Sequence, residues 1–325
     1  MAKQTGRARA SSSKASVGAL VPESLTSKGF RIRGFGPLPD GFDPRTATAR
    51  ELTVHRLPRR PDAKTEPELR DLWERTMART QLWITPEFEH HEHISHGPAR
   101  VSRVPKVANS TSSNWSGAVA SSPADKPYRF VGGQWTVPSP NTAADGVYYA
   151  SEWVGIDGSG GSGDVLQAGT ETQITKFWIF SSARVYAWWE WFPAGEVAIS
   201  NLPVSAGDVM YCLICADSTT HASVSFSNQS QGVGTRFDIT PPRGTTLAGN
   251  VAEWIVERPS VGGSVANLTD YAACYFDECI AGGSGRVDNL SGADLVTMTG
   301  AGGATLSEPT RENDRVLKVS WRKSS

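Results

Sequence analysis

From about Ser110 onward the chain is written in short runs that alternate apolar and polar residues, broken by Gly, Pro, Asn and Ser. "NWSGAVA", "RFVGGQWTVP", "ASEWVGID", "ARVYAWWEWFP", "DVMYCLICA", "ASVSFSN", "NVAEWIVE" and "RVLKVSW" are the clearest. A two-residue period sends successive side chains to opposite faces of a strand. No amphipathic helix of convincing length separates the runs, so the pattern is that of an antiparallel sandwich or barrel. Residues 110–325 are long enough for two large packed sheets. Glycine (32 of 325 residues) and tryptophan (11) are both high, which suits a turn-rich all-β domain better than a helical one.

The preceding segment reads differently. Residues 1–28 are rich in Ser, Lys, Arg and Gly and predict a disordered tail. Residues 29–109 read as a separate, mostly irregular N-terminal segment. A short helix is expected after Thr48, where Glu51 completes a capping box. A longer one is expected near residues 66–80. There Thr65 would cap with Glu68, and Leu69, Leu72, Trp73 and Met77 form one apolar face that needs a partner. "EFEHHEHISHG" then gathers four of the six histidines. It reads as a metal-binding tract, a solvated polar loop, or a group that gains charge as pH falls from about 7 to about 5.5. Residues 1–106 carry 19 basic and 12 acidic side chains (+7), and residues 107–325 carry 13 and 21 (−8). Two parts of opposite charge attract each other. The basic charges are dispersed among acids, which argues against nucleic acid.

No run of 18 apolar residues exists, so no transmembrane helix and no membrane partner are expected, and no signal peptide is visible. Cys212 and Cys215 lie in an apolar run and would face opposite sides of a strand. They read as small core residues rather than a zinc or redox pair. The familiar catalytic devices are missing. The β-rich region has one histidine, His221, and neither Gly-x-Ser-x-Gly, His-Glu-x-x-His, nor a phosphate-binding glycine loop followed by a helix.

What remains is carboxylates and amides inside apolar strands. In "VYAWWEWFP", Tyr186, Trp188, Glu190 and Phe192 share one face, and Val185, Ala187, Trp189 and Trp191 the other. In "NVAEWIVE", Val251, Glu253, Ile255 and Glu257 share a face opposite Ala252, Trp254 and Val256. Gln167 lies with Val165 and Gly169. Glu190, Glu253 and Gln167 thus each interrupt an apolar strand. One such residue reads as a satisfied structural group; three in an aromatic-lined sheet point to a site.

In their order, "SNWSGAVA", "WTVPSP", "SEWVGIDG", "VLQAG", "YAWWEWFP", "VSAGDVM" and "AEWIVERP" resemble the glutamic peptidases, or eqolisins, over about residues 110–325. The resemblance implies a lectin-like (concanavalin A-type, jelly-roll) two-sheet sandwich with its site on the concave face. It implies endopeptidase action on proteins or peptides in acid, without metal or organic cofactor. By the same resemblance Gln167 and Glu253 are the catalytic dyad, and Trp153, Asp157, Glu190, Tyr186 and Trp188 support it or line the cleft. Tyr186 stands where the family often has aspartate. Residues 29–109 then read as a propeptide that inhibits its own chain, or as a permanent extension packed on the sandwich. If a propeptide, it would be loosened by acid as the carboxylates and the histidine tract take up protons, and cut near residues 98–112. A monomer is expected. The family is secreted, whereas the cysteines here do not match its disulfides.

In this chemistry Glu253 takes a proton from water and returns it to the leaving nitrogen, while Gln167 donates to the oxyanion. Aromatic surroundings should raise the Glu190 pKa and make it a neutral donor that orients Gln167 or Asp157, or hydrogen-bonds substrate. Two alternatives stay open on the residues alone. One is a lectin-like module that binds carbohydrate or peptide through its tryptophans. The other is a glycosidase using Glu190 and Glu253 as its acid pair.

Overall fold

The computed structural model describes residues 24–25, 29–102, 109–141, 144–283 and 285–325. Apart from Ser24–Leu25, the tail expected over residues 1–28 lies outside them. Two antiparallel sheets form the body. The first runs Glu196–Ile199, Phe180–Trp191, Val165–Phe177, Gly146–Asp157, Val251–Glu257, Trp115–Ser121 and Asp294–Thr299. The second runs Leu317–Trp321, Ala273–Gly283, Phe130–Thr136, Val209–Ser218, His221–Asn228 and Val233–Ile239. Thr305–Arg311 pairs with Asp294–Thr299 and with Leu317–Trp321, and so joins them.

The two-residue period decides which side chains fill the space between the sheets. Ala187, Trp189 and Trp191, with Ala252, Trp254 and Val256, face the inter-sheet core, as the alternation predicts. A buried tryptophan removes roughly 150–250 Å² from water and brings one N–H that needs an acceptor. Trp135 donates to Thr170 Oγ1 (2.9 Å), Trp191 to Asp164 Oδ2 (3.1 Å) and Trp254 to the Gly132 carbonyl (3.0 Å). Trp115, Val119, Trp153, Val165, Tyr186, Trp188, Val251 and Ile255 form a second apolar cluster on the opposite face of the first sheet. All four cysteines are free thiols; Cys212, Cys274 and Cys279 are buried and Cys215 is half-buried.

The N-terminal segment is stitched to the edges of both sheets. Arg31–Gly34 pairs antiparallel, and Leu82–Ile84 parallel, with Val233–Ile239. Phe88–His91 pairs antiparallel with Glu196–Ile199 at the edge of the first sheet. Added strands of this kind satisfy edge groups that would otherwise be open to pairing. Helix α1, Ala49–Val54, carries the capping box: the Glu51 amide donates to Thr48 Oγ1 (3.2 Å), and the Thr48 amide to Glu51 Oε2 (2.7 Å). Helix α2 runs Pro67–Arg79. Thr65 does not cap it. Asp62 Oδ1 collects the Lys64 and Thr65 amides (2.8 and 3.0 Å), and the helix begins at Pro67, whose missing N–H costs nothing at a first position. Leu72 packs on Tyr211 and Ile280 of the second sheet, and Trp73 and Met77 pack on Ala47, Leu52, Leu57 and Trp83 of the segment itself. Arg75 Nη2 pairs with Glu278 Oε1 at 2.7 Å.

The hairpin tip joining Val165–Phe177 to Phe180–Trp191 exposes Phe177, Trp178, Ile179 and Phe180 at 69–73%. It lies ten residues along the strands from the Gln167–Glu190 pair, about 33 Å away, so it does not line the site described below.

If α2 holds the segment by burial, Leu72→Ala should destabilise the chain by about 2–5 kcal/mol in urea unfolding. An unchanged midpoint would show that the helix contact carries little.

Candidate active site

Pairing register lines up one row of residues across the first sheet. Gly155 is the ladder partner of both Gln167 on one side and Glu253 on the other, and Gln167 is in turn the partner of Glu190. Directly paired residues point to the same face. Gln167 and Glu253 therefore rise from one face, two strands apart, or roughly 9–10 Å between Cα atoms. The glycine between them leaves the interval open. A Cβ there would meet Trp153 Cζ3 at 2.8 Å and Gln167 Cβ at 3.2 Å. Gln167 Oε1 and Glu253 Oε2 have no hydrogen-bond partner among the described residues, though both side chains are fully buried.

The N-terminal segment covers Gln167, and the Ser159 hydroxyl donates to Glu253 Oε1 (3.3 Å). Residues 94–100 lie across this row. Ile94–Ser95 pairs with Ser260–Val261 at one end. At the other end the Ala99 amide donates to the Gly158 carbonyl (2.9 Å), and the Arg100 amide to Asn114 Oδ1 (2.9 Å). Between them Gln167 Nε2 donates to the carbonyl oxygen of His96. The His96 amide donates to Glu190 Oε2 (2.6 Å).

The His96 imidazole is fully buried. It stacks on Trp188 with ring centroids 3.6 Å apart and 11° between planes. Its Nε2 lies 2.9 Å from Glu196 Oε2 and 3.8 Å from Glu171 Oε2, and its Nδ1 lies 3.5 Å from Glu257 Oε2. His91 Nδ1 reaches Glu196 Oε1 at 2.7 Å, and the Tyr186 hydroxyl donates to the same oxygen at 2.8 Å. Trp153 donates from Nε1 to Glu257 Oε2 (3.0 Å), and Ser151 from its hydroxyl to Glu171.

The electrostatics follow from burial and pairing. Burial alone would lower the His96 pKa, but its hydrogen bond to Glu196 and the Glu257 carboxylate 3.5 Å from Nδ1 outweigh this and hold it well above the usual value. His91 is raised by its bond to Glu196. Burial would raise Glu196, yet the bonds from His91 and His96 bring it down to about 2. Glu171 and Glu257 are raised by burial. Glu190 is pushed up to about 7 by burial, against the pull of His96 and two backbone amides. Glu253 is raised well above the usual carboxylate range by burial, then by the nearby Asp157.

His96, Glu171 and Glu196 bring ligand atoms within 4.8 Å of one another, close enough to be tested as a metal site. Ligands about 2 Å from a tetrahedral zinc stand about 3.3 Å apart, whereas the 2.9 Å between His96 and Glu196 is hydrogen-bond length. The group fits a shared proton better than an ion.

The sequence pattern of the peptidase A4 family matches residues 113–321. The chain belongs to the peptidase A4 family. It is a glutamic endopeptidase, a hydrolase. It is 28% identical to aspergillopepsin-2 of Aspergillus niger over 224 residues, covering 63% of this chain and 76% of that protein. It is 25% identical to scytalidopepsin B of Scytalidium lignicola over 193 residues, covering 57% and 70%. Scytalido-glutamic peptidase with a transition state analog inhibitor aligns at TM-score 0.56 and 21% identity, over 65% of this chain and 98% of that one. An eqolisin in complex with the tripeptide Ala-Ile-His aligns at 0.53 and 21% over the same shares. The family is the one the motifs resemble, and the fold is the expected two-sheet β-sandwich.

Within this A4 sandwich the structure brings Gln167, Glu253, Glu190, Trp153, Tyr186 and Trp188 to one face. Two expected partnerships differ. Glu190 bonds neither Gln167 nor Asp157; it accepts from the amides of His96 and Gly195 (2.6 and 2.9 Å) and from the Ser95 hydroxyl (3.4 Å). Asp157 turns away to cap a loop, accepting the amides of Ala248, Gly249 and Asn250 at 2.7–2.9 Å. Its φ of +68° is tolerable for Asp, and it reaches the dyad only through its charge on Glu253. The histidine tract is not a solvated loop at His91 and His96, which are 7% and 0% exposed. Sequence reading missed Glu171 and Glu196, and it gave Glu257 no role. Alternation does place Glu257 on the Glu253 face, which was the available signal.

The sign of the histidine effect runs opposite to the acid-loosening expectation. A raised folded-state pKa gives His91 and His96 a stabilising contribution that is full below about 6.5 and lost as pH rises. The lowered Glu196 contributes above about 4.5 and is lost as pH falls toward about 2. Closure is therefore tightest between these limits. Thermal unfolding of the full chain should give a melting temperature several degrees higher at pH 5.5 than at pH 8, and His96→Gln should shrink that difference. A melting temperature rising toward pH 8 would contradict the assignment.

Proposed function

We propose that this endopeptidase works in acid through Gln167 and Glu253. The observation that supports this best is the shared ladder partner, Gly155, with Gln167 already donating to a main-chain carbonyl seated above it. In the reaction the water oxygen bonds to the carbonyl carbon as its proton passes to Glu253. Gln167 donates to the oxyanion. The C–N bond then breaks, the nitrogen takes the proton from Glu253, and one acid and one amine leave. An amide does not titrate, so Gln167 keeps its role at a pH where a histidine base would be protonated.

Residues 94–100 are read here as an intramolecular inhibitor. They occupy the groove over Gln167, and in this closed state Glu253 is fully buried. A carboxyl whose pKa is raised stays protonated in acid and cannot take a proton from water. Removing the segment re-solvates Glu253 and returns it toward its ordinary value near 4.3. Between about pH 6.5 and 4.5 acid strengthens the His96 contacts, so over that range the segment leaves by being cut rather than by simple dissociation. An N-terminus between residues 97 and 112 after incubation at pH 4 would support this, and an intact active chain would contradict it.

With the segment removed, Glu253→Gln and Gln167→Ala should each lower kcat on a denatured protein substrate at pH 4 by at least 100-fold, with folding unchanged by circular dichroism. Full activity in either variant overturns the dyad. Hydrolysis of a polysaccharide that survives Gln167→Ala would favour the two-carboxylate glycosidase instead.

A further inference from the structure

Tyr186 stands where the resemblance calls for an aspartate, and the structure shows what has taken over. Its hydroxyl donates to Glu196, a residue from the next strand, and presents that carboxylate to His96. We infer that Glu196, with Glu171 and Glu257, forms a subsite that selects a cationic side chain on the residue contributing the scissile carbonyl, imidazolium foremost. This deepens the Gln167–Glu253 reading and rests on it, because that reading makes the carbonyl held by Gln167 the one that is attacked.

Three observations carry the inference. First, a side chain of the chain itself fills the subsite. His96 gives its carbonyl to Gln167 and its ring to the pocket, so main chain and side chain are placed as in one substrate residue. Second, the pocket suits a flat cation. Trp188 provides a parallel face at 3.6 Å, and carboxylates meet both ring nitrogens: Glu196 and Glu171 at Nε2, Glu257 at Nδ1. Cations are attracted to an indole face as well as to carboxylates. Third, Glu171, Glu196 and Glu257 are fully buried with His96 among them, so an uncharged occupant would leave this acidic group without a positive partner. Glu171 Oε1 still lacks a partner with His96 in place, which leaves an acceptor for a longer, better-donating side chain. The pocket is incomplete until something positive enters.

An apolar or acidic side chain would leave these carboxylates unpaired, so discrimination should be strong. The His96 carbonyl on Gln167 also places the bond after it, His96–Gly97, over the pair, held uncut while Glu253 stays protonated. That lies just before the stretch near 98–112 that sequence reading suggested.

Two arms test this. In the first, the acid-activated chain is given peptides identical except for His, Lys, Leu or Glu before the scissile bond, and kcat/KM is measured at pH 4. His and Lys should exceed Leu and Glu by at least tenfold, and Glu196→Gln should abolish most of that ratio. Equal rates for His and Leu overturn the subsite, whereas hydrolysis of none of the peptides overturns the Gln167–Glu253 reading and leaves the subsite to the second arm. That arm needs no catalysis. Hydrogen exchange over residues 94–100 is followed at pH 5 in the full chain carrying His96→Lys or His96→Leu. Lysine should keep most of the protection and leucine should lose at least tenfold. Equal protection with leucine overturns the proposal.

Discussion

The backbone ladders on either side of Gly146–Asp157 hold Gln167 and Glu253 opposite the same glycine, and the rest of the site depends on that register. A slip of one residue in either ladder would send one of the two side chains into the inter-sheet core. Two features prevent it. Trp254 and Trp191, neighbours of the row, are locked between the sheets by N–H bonds to Gly132 and Asp164. At Gly169 the first sheet closes so tightly that a Cβ would stand 2.2 Å from the Glu152 carbonyl oxygen. The position of the proposed pair is thus set by packing on the opposite, inter-sheet face.

The same sheet tolerates an unusual concentration of buried acid. Glu171, Glu190, Glu196, Glu253 and Glu257 are all fully buried on the face covered by residues 94–100. Two histidines, backbone amides, a tyrosine hydroxyl and a tryptophan N–H partner most of them. That answers why a carboxylate such as Glu190 sits among tryptophans. It receives the backbone of the inserted segment and the Gly195 amide, and the aromatic rings keep water away from those bonds. Opposite net charge in the two halves is expressed mainly as particular contacts. The buried His96 and His91 pairs are joined by Arg75–Glu278 nearer the surface and by Arg56 on the buried Asp238 at 3.0 Å. The exposed pairs contribute less than the buried ones to holding the halves together.

Much of this was legible in the sequence because it depends on a short period. Alternation alone assigned Trp189, Trp191 and Trp254 to one face and Trp188, Glu190 and Glu253 to the other. The capping box at Thr48 and Glu51 is equally local. The His96 pocket was not legible, because it joins residue 96 to residues 171, 188, 196 and 257, and no local pattern encodes those meetings. Taken one at a time, "TET", "GEVA" and "IVER" look like solvated edges. Three carboxylates become a pocket only when a cation from a distant segment is placed among them. The Thr65 cap failed for a local reason: Asp62 competed for the amides of that turn and won.

The measurement that most directly tests joint action of the pair is a double-mutant cycle on kcat at pH 4, with Gln167→Ala, Glu253→Gln and both together. If the two side chains act on one water and one carbonyl, the double variant should be little slower than the worse single variant. Losses that multiply would mean that the two residues act independently, and would contradict the account.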